Sequence, residues 1–232
     1  MKNDADIGGF LSETFAIARD NLVPIAIFVA VMAFFGTGSD WLTLQPEILT
    51  ESDPIIIVLA GFAVGIGAIV ISVLAQYFLT SSMLGSRGEL QQPGTRIWAY
   101  VGLSVLFLLG LMVGFLLLIV PGIILLTRWI AAPGYLIGGG RGVVESFGAS
   151  WEATSEKGWH IFGGILILGL VGSVLIFGAA GAVLFAADSF SFATSLISNV
   201  LSNAFSAIFV AYGVAVYHLT ADNTQHTTEV FE

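Results

Sequence analysis

Six long apolar stretches, separated by short polar segments, set the pattern of this chain. They cover roughly residues 22–35, 55–80, 97–120, 122–137, 159–186 and 190–219. A bilayer core about 30 Å thick is crossed by roughly 20 helical residues, and five of the six stretches approach or exceed that length. The first is short, and Pro24 falls near its start, where proline is tolerated. Pro54 precedes the second. The third is entered through Trp98 and Tyr100. Only Pro121 separates the third from the fourth, so the Pro121–Gly122 pair is the predicted helix break. The expected architecture is all-α: an integral membrane protein built as a six-transmembrane-helix bundle.

Two further segments are apolar on one face only. In the first, residues 1–21, Ile7, Phe10, Leu11, Thr14, Phe15 and Ala18 recur at helical spacing, with Asp6, Glu13 and Asp20 elsewhere on the wheel. In the second, Val144, Phe147, Trp151 and Thr154 form a stripe opposed by Glu145, Glu152 and Glu156. Helices of this kind lie in the interface plane. Both lead directly into a span, so each reads as an interfacial collar that sets the next helix's entry angle, or as a lipid- or partner-binding helix. Residues 220–232 read as a polar, disordered tail.

Charge gives the threading a direction. Lys2, Arg19, Arg87, Arg96, Arg141 and Lys157 fall in segments on one side of the six spans, and Arg128 falls inside the fourth. Asp40, Glu47, Glu51, Asp53 and Asp188 fall on the other side. The positive-inside rule then places both termini in the cytoplasm. Trp98, Tyr100, Tyr135, Trp159 and Tyr217 land near that boundary and Trp41 near the opposite one, as an aromatic belt would. Residues 1–21 lack the basic and short apolar regions of a cleavable signal.

Composition agrees with a lipid-facing exterior. Of 232 residues, 10 % are charged and 56 % are apolar, whereas soluble domains carry about 25 % charged residues. A net charge of −9 argues against nucleic acid as a partner and against a polybasic headgroup clamp. With no cysteine, disulfides and thiolate sites are excluded.

Arg128 is the sharpest candidate for chemistry. It lies about 9 Å inward from Gly122 at the helical rise, where a cation costs several kcal/mol unless it snorkels or finds partners. Ser191, Ser195, Asn199, Ser202 and Ser206 form one polar stripe on the last span, and Asn199 lies about 13 Å inward. An intramembrane cluster of Arg128, Ser195 and Asn199 follows as an expectation. It reads either as an anion or headgroup site or as a structural tie between helices. Ser72, Gln76 and Thr80, joined by Ser104, line a hydrated path or supply interhelical hydrogen bonds. No carboxylate is expected at mid-membrane depth, which argues against proton pumping. The small-residue pairs Gly61/Gly65, Gly110/Gly114 and Gly134/Gly138 permit close helix approach, with packing inside the bundle favoured over dimerisation. The glycine-rich 138–142 segment lacks the strand context and lysine of a P-loop. His160, His218 and His226 belong to no recognisable catalytic string. Neither catalytic residues, cofactor-binding residues nor metal ligands are expected.

The run Leu117-Leu118-Ile119-Val120-Pro121-Gly122-Ile123-Ile124-Leu125-Leu126-Thr127-Arg128-Trp129 resembles the hallmark of the YciC-like proteins, relatives of the glycerophosphoryl diester phosphodiesterase membrane domain. Val144-Glu145-Ser146-Phe147, Ser150-Trp151 and Lys157-Gly158-Trp159 continue the likeness, and Phe10, Thr14-Phe15, Asn21, Tyr212 and Tyr217 fit its two ends. The resemblance implies a six-helix protein of the bacterial inner membrane. It does not bring the phosphodiesterase activity, since the catalytic domain is absent. The resulting expectation is a non-enzymatic multi-pass protein, an envelope or lipid-associated accessory or scaffold whose partners are membrane lipids. The alternative is a small transporter or channel component with a polar site near Arg128 and Asn199.

Overall fold

The computed structural model describes residues 5–43, 54–90, 96–186 and 192–229. Nine helices make up all of the regular structure among these residues. They are α1 (Ile7–Asp20), α2 (Leu22–Thr43), α3 (Pro54–Ser86), α4 (Ile97–Leu117), α5 (Ile119–Trp129), α6 (Ala132–Ile137), α7 (Val143–Ala153), α8 (Gly158–Ala186) and α9 (Phe192–Glu229). Six segments are long and apolar enough to cross a bilayer: Leu22–Trp41, Ile55–Ser86, Ile97–Leu117, Ile119–Ile137, Gly158–Ala179 and Phe192–Ala221. The protein is therefore an all-α bundle of six membrane-spanning helices. Its surface carries large apolar side chains on every span, from Phe34 and Phe62 to Leu116 and Phe177, as a protein solvated by hydrocarbon requires.

The bundle is organised around α9. Ala207, Ala211, Tyr212, Val214, Ala215, Val216 and Tyr217 are all buried, and α9 packs against α2, α1, α8, α3, α6 and α7. Lipid offers no hydrophobic drive for helices to associate, so close contact between small residues takes its place. A Cβ added to Gly134 would come within 2.3 Å of the Tyr217 ring, one at Gly164 would come within 2.3 Å of the Tyr212 hydroxyl, and one at Gly213 would lie 2.9 Å from the Ile130 carbonyl. Gly110 and Gly114 do the same for α4 against Trp129 and Gly122. Gly61 and Gly65 differ, because nothing lies within 4 Å of the Cβ either would carry.

Several expected boundaries move. The tight turn between the third and fourth spans is at Leu118, which is extended (φ −165°, ψ 154°), and not at Pro121–Gly122. Pro121 instead sits in the first turn of α5, where its missing N–H leaves no hydrogen bond unmade. Gly122 faces Phe115, whose ring would collide with any Cβ there. The fourth span is itself broken between Trp129 and Ala132. Pro133 supplies the reason, since it cannot donate to the carbonyl four residues back. The first span extends to Trp41, so Asp40 lies inside a span rather than in the following loop. The last helix continues to Glu229, through most of the predicted tail.

The two amphipathic helices exist; α1 buries much of the expected stripe together with Glu13 and Ile17, whereas α7 turns part of its stripe outward. In α1, Asp6 caps the start by accepting from the Gly9 amide at 2.6 Å. Phe10, Glu13, Thr14, Ile17 and Ala18 are buried while Phe15 is exposed. Glu13 is drawn inward by Arg87, whose Nε lies 2.8 Å away. In α7 the buried residues are Ser146, Ala149 and Ser150, whereas Val144 is 75 % exposed and Trp151 43 %. Val144 and Trp151 of the apolar stripe face outward while Phe147 and the small polar stripe pack, as suits a helix seated in lipid. The aromatic belt divides similarly. Trp98 and Trp159 are exposed, but Tyr100, Tyr135 and Tyr217 belong to the core, with the rings of Tyr135 and Tyr217 4.8 Å apart.

Candidate functional site

The break after Trp129 strips the end of α5 of its normal hydrogen-bond partners, and α7 fills the gap. The Ser150 hydroxyl donates to the Arg128 carbonyl at 2.6 Å, and Thr154 Oγ1 approaches the same oxygen at 3.4 Å while donating to the Ser150 carbonyl at 2.7 Å. The clamp is reciprocal, because the Arg128 guanidinium donates through Nη1 to the Thr154 carbonyl. Ser146 and Ser150 on α7 and Thr154 at its C-cap, one turn apart, are fully buried. Trp129 completes the seam by packing on Phe147 at 4.6 Å and on Phe107 at 6.1 Å.

The guanidinium lies at the start of α8. Its terminal nitrogens would sit 3.4 Å from a Cβ on Gly158, and its carbon lies 5.7 Å from the centroid of Trp151, within the range of a cation–π contact. The first α8 hydrogen bond runs from the Ile161 amide to the Lys157 carbonyl, so the amides of Gly158, Trp159 and His160 have no partner within the helix. Burial pushes the Lys157 ammonium below the ordinary lysine range, with Glu156 partly opposing the shift. Arg128 forms no ion pair among the described residues. A guanidinium thus lies at the positive end of a 29-residue helix, next to Gly158, with Lys157 preceding it in sequence. The chemistry this arrangement can perform is anion binding.

Ser195 and Asn199 are not part of this site. Tyr212 donates to the Ile161 carbonyl at 2.7 Å, which sets the start of α8 level with Tyr212. Ser195 lies about 25 Å further along α9 at the helical rise. The expected cluster with Arg128 therefore does not form. The two spans start elsewhere than the apolar pattern implies: α5 begins at Ile119 rather than Gly122, and α9 at Phe192. Those shifts move Arg128 away from the hairpin end of its span and Asn199 towards its own helix's start. Ser195 and Asn199 instead both donate to Asp40 Oδ2, Asn199 Nδ2 at 2.8 Å.

Two further groupings were only partly visible in the sequence. Gln76, Thr80 and Ser104 line a cavity of about 370 Å³, otherwise walled by Leu103, Phe107, Leu126, Ile130 and other apolar residues, where α3, α4, α9 and the broken fourth span meet. Their hydroxyls also bond within their own helices, Thr80 to the Gln76 carbonyl and Ser104 to the Tyr100 carbonyl. At the charged end, Arg87 pairs with both Glu13 and Asp20, and His218 Nδ1 meets Glu89 at 2.5 Å. Paired charges at such sequence separations carry no local signal.

No protein-family model, curated protein or solved structure matches this chain.

Proposed function

We propose that the chain is a YciC-like, non-enzymatic accessory protein of the bacterial inner membrane that holds an anionic lipid headgroup at Arg128, with both termini cytoplasmic. One observation carries this reading: a guanidinium within a membrane span, beside the first amides of α8, which have no partner within the helix, and in no ion pair among the described residues. An intramembrane arginine is by default a functional group. The exposed ring of Trp151 lies beside it, and tryptophan favours the headgroup level of a bilayer. A lipid phosphate there would accept from the guanidinium and from the helix amides together, the charge-assisted arrangement that binds phosphate well. This is a single built site and not a polybasic surface, so a net charge of −9 does not oppose it.

Thermal unfolding in nanodiscs of phosphatidylglycerol and of phosphatidylcholine tests the reading. The wild-type protein is expected to unfold at a higher temperature in the anionic lipid, and Arg128→Gln to abolish that difference. A wild-type protein indifferent to headgroup charge, or an unchanged difference in Arg128→Gln, would defeat it.

The runner-up, a small transporter or channel component, draws its support from the cavity lined by Gln76, Thr80 and Ser104 beside a broken helix, since transporters form sites at discontinuous helices. Solute uptake into proteoliposomes that is lost in Gln76→Leu would favour it over the accessory role.

A further inference from the structure

At the end of the bundle away from Arg128, α2 and α9 meet through a polar seam inside their spans. Ala33, Gly36, Thr37 and Asp40 share one face of α2 by helical spacing. Gly36 brings that face so close to α9 that a Cβ on it would lie 2.1 Å from Asn199 Oδ1. Asp40 receives the Ser195 hydroxyl and the Asn199 amide, and the Asn199 amide also lies 3.3 Å from Ser195 Oγ. Thr37 is 2 % exposed, and its hydroxyl has no partner. Other buried threonines among the described residues differ. Thr14, Thr80, Thr127, Thr154 and Thr220 each donate to the carbonyl four residues back. Thr37 does not, and a buried unpaired hydroxyl is destabilising.

We propose that Asp40, Thr37, Ser195 and Asn199 form a binding site for a small monovalent cation between α2 and α9. Every side chain in the seam offers oxygen, the donor that hard cations select, and none offers ring nitrogen or sulfur. One carboxylate matches one positive charge. No group of three or more His, Asp or Glu exists among the described residues to suit a transition metal. The surrounding charge has the right sign. Asp40 is the sole charged residue of α2, α3 has none, and the other charged residues assigned to that end by sequence (Glu47, Glu51, Asp53 and Asp188) are all acidic. A one-signed field of this kind concentrates cations at its mouth. On binding, Ser195 and Thr37 present hydroxyl lone pairs, and Asn199 turns its amide oxygen to the ion. The seam then ties α2 to α9 more firmly than the hydrogen bonds alone.

Thermal unfolding of the purified full chain in detergent, in sodium chloride against N-methylglucamine chloride at equal ionic strength, tests this. Sodium is expected to raise the wild-type midpoint in a saturable way. Asp40→Asn is expected to lose the effect, and Thr37→Val to need about tenfold more sodium for the same shift, the fold-change of losing one ligand worth about 1.4 kcal/mol. Arg128→Gln is expected to keep the sodium response in full, so failure of the headgroup site and failure of this one are separable. Equal wild-type midpoints in the two salts, or an undiminished sodium shift in Asp40→Asn, would overturn the proposal and leave the seam as a structural clamp. If Asp40→Asn does not yield folded protein, Thr37→Val decides, and a wild-type sodium response in that variant is the overturning result.

Discussion

At the residue scale, the same residue type carries different weight according to what the fold places beside it. Gly134 and Gly61 both head a small-residue pair. A side chain at Gly134 would have to occupy space held by the Tyr217 ring, so Gly134→Leu is expected to destabilise by about 1–3 kcal/mol, typical of overpacking. Gly61 faces open space, and Gly61→Leu is expected to change stability by no more than about 0.5 kcal/mol. Thermal unfolding of both variants in one detergent makes the comparison. Equal losses would show that the first half of α3 is packed after all. The spacing of glycines was legible in the sequence, but their neighbours were not, because the partner of Gly134 lies on α9. Arg128 was legible as an anomaly for a simple reason: a charge stands out in an apolar run. Its partners were not, since Ser150 and Thr154 reach it only through the break at Pro133. Asp40 was misplaced in a loop because the first apolar stretch fades at Phe35, whereas the helix continues to Thr43.

At the element scale, α7 is held chiefly through polar contacts. Ser150 and Thr154 hold the Arg128 carbonyl, and the helix turns Val144 and Trp151 outward. The double variant Ser150→Ala, Thr154→Val removes both hydroxyls and leaves a carbonyl at the end of α5 without these partners. A loss of about 1–3 kcal/mol is expected, read as faster amide hydrogen exchange in α7 and the last turn of α5 than in α9. Exchange that remains unchanged in α7 would show that its docking rests on Phe147 and Trp129 alone. The helical period of α7 was readable from its sequence, and the choice of face was not. Period alone assigns the apolar face to the interior, a rule learned in water. In hydrocarbon Val144 and Trp151 on that face are solvated, and the serine stripe benefits from packing beside Phe147.

At the scale of the whole molecule, six spans place the two ends of the chain on one side of the bilayer. Since the chain has no cysteine, single-cysteine variants give a clean readout. Gln45→Cys and Asn223→Cys are expected to label from opposite faces of sealed vesicles with an impermeant reagent. Labelling of both from a single face would require an even number of crossings between them and would dismantle the threading. The splayed placement of α3 and α8 also belongs to this scale. Val58, Phe62 and Ile66 on α3, and Val174 and Phe177 on α8, are exposed to the surroundings, while α2, α9 and the α4–α5 pair hold their contacts.

The sequence by itself determined the solvent of this protein, its helical class and its number of spans. Those follow from the length and apolarity of local segments, and each segment's transfer into lipid is decided by its own residues. Which polar groups meet was decided only by the tertiary structure. A hydroxyl, carboxylate or guanidinium buried in hydrocarbon must take a partner from another helix, and that choice depends on glycine-scale approach distances and on where a proline breaks a span. So Arg128 went to α7 and α8, Asp40 went to Asn199 and Ser195, and the predicted meeting of Arg128 with Asn199 did not occur.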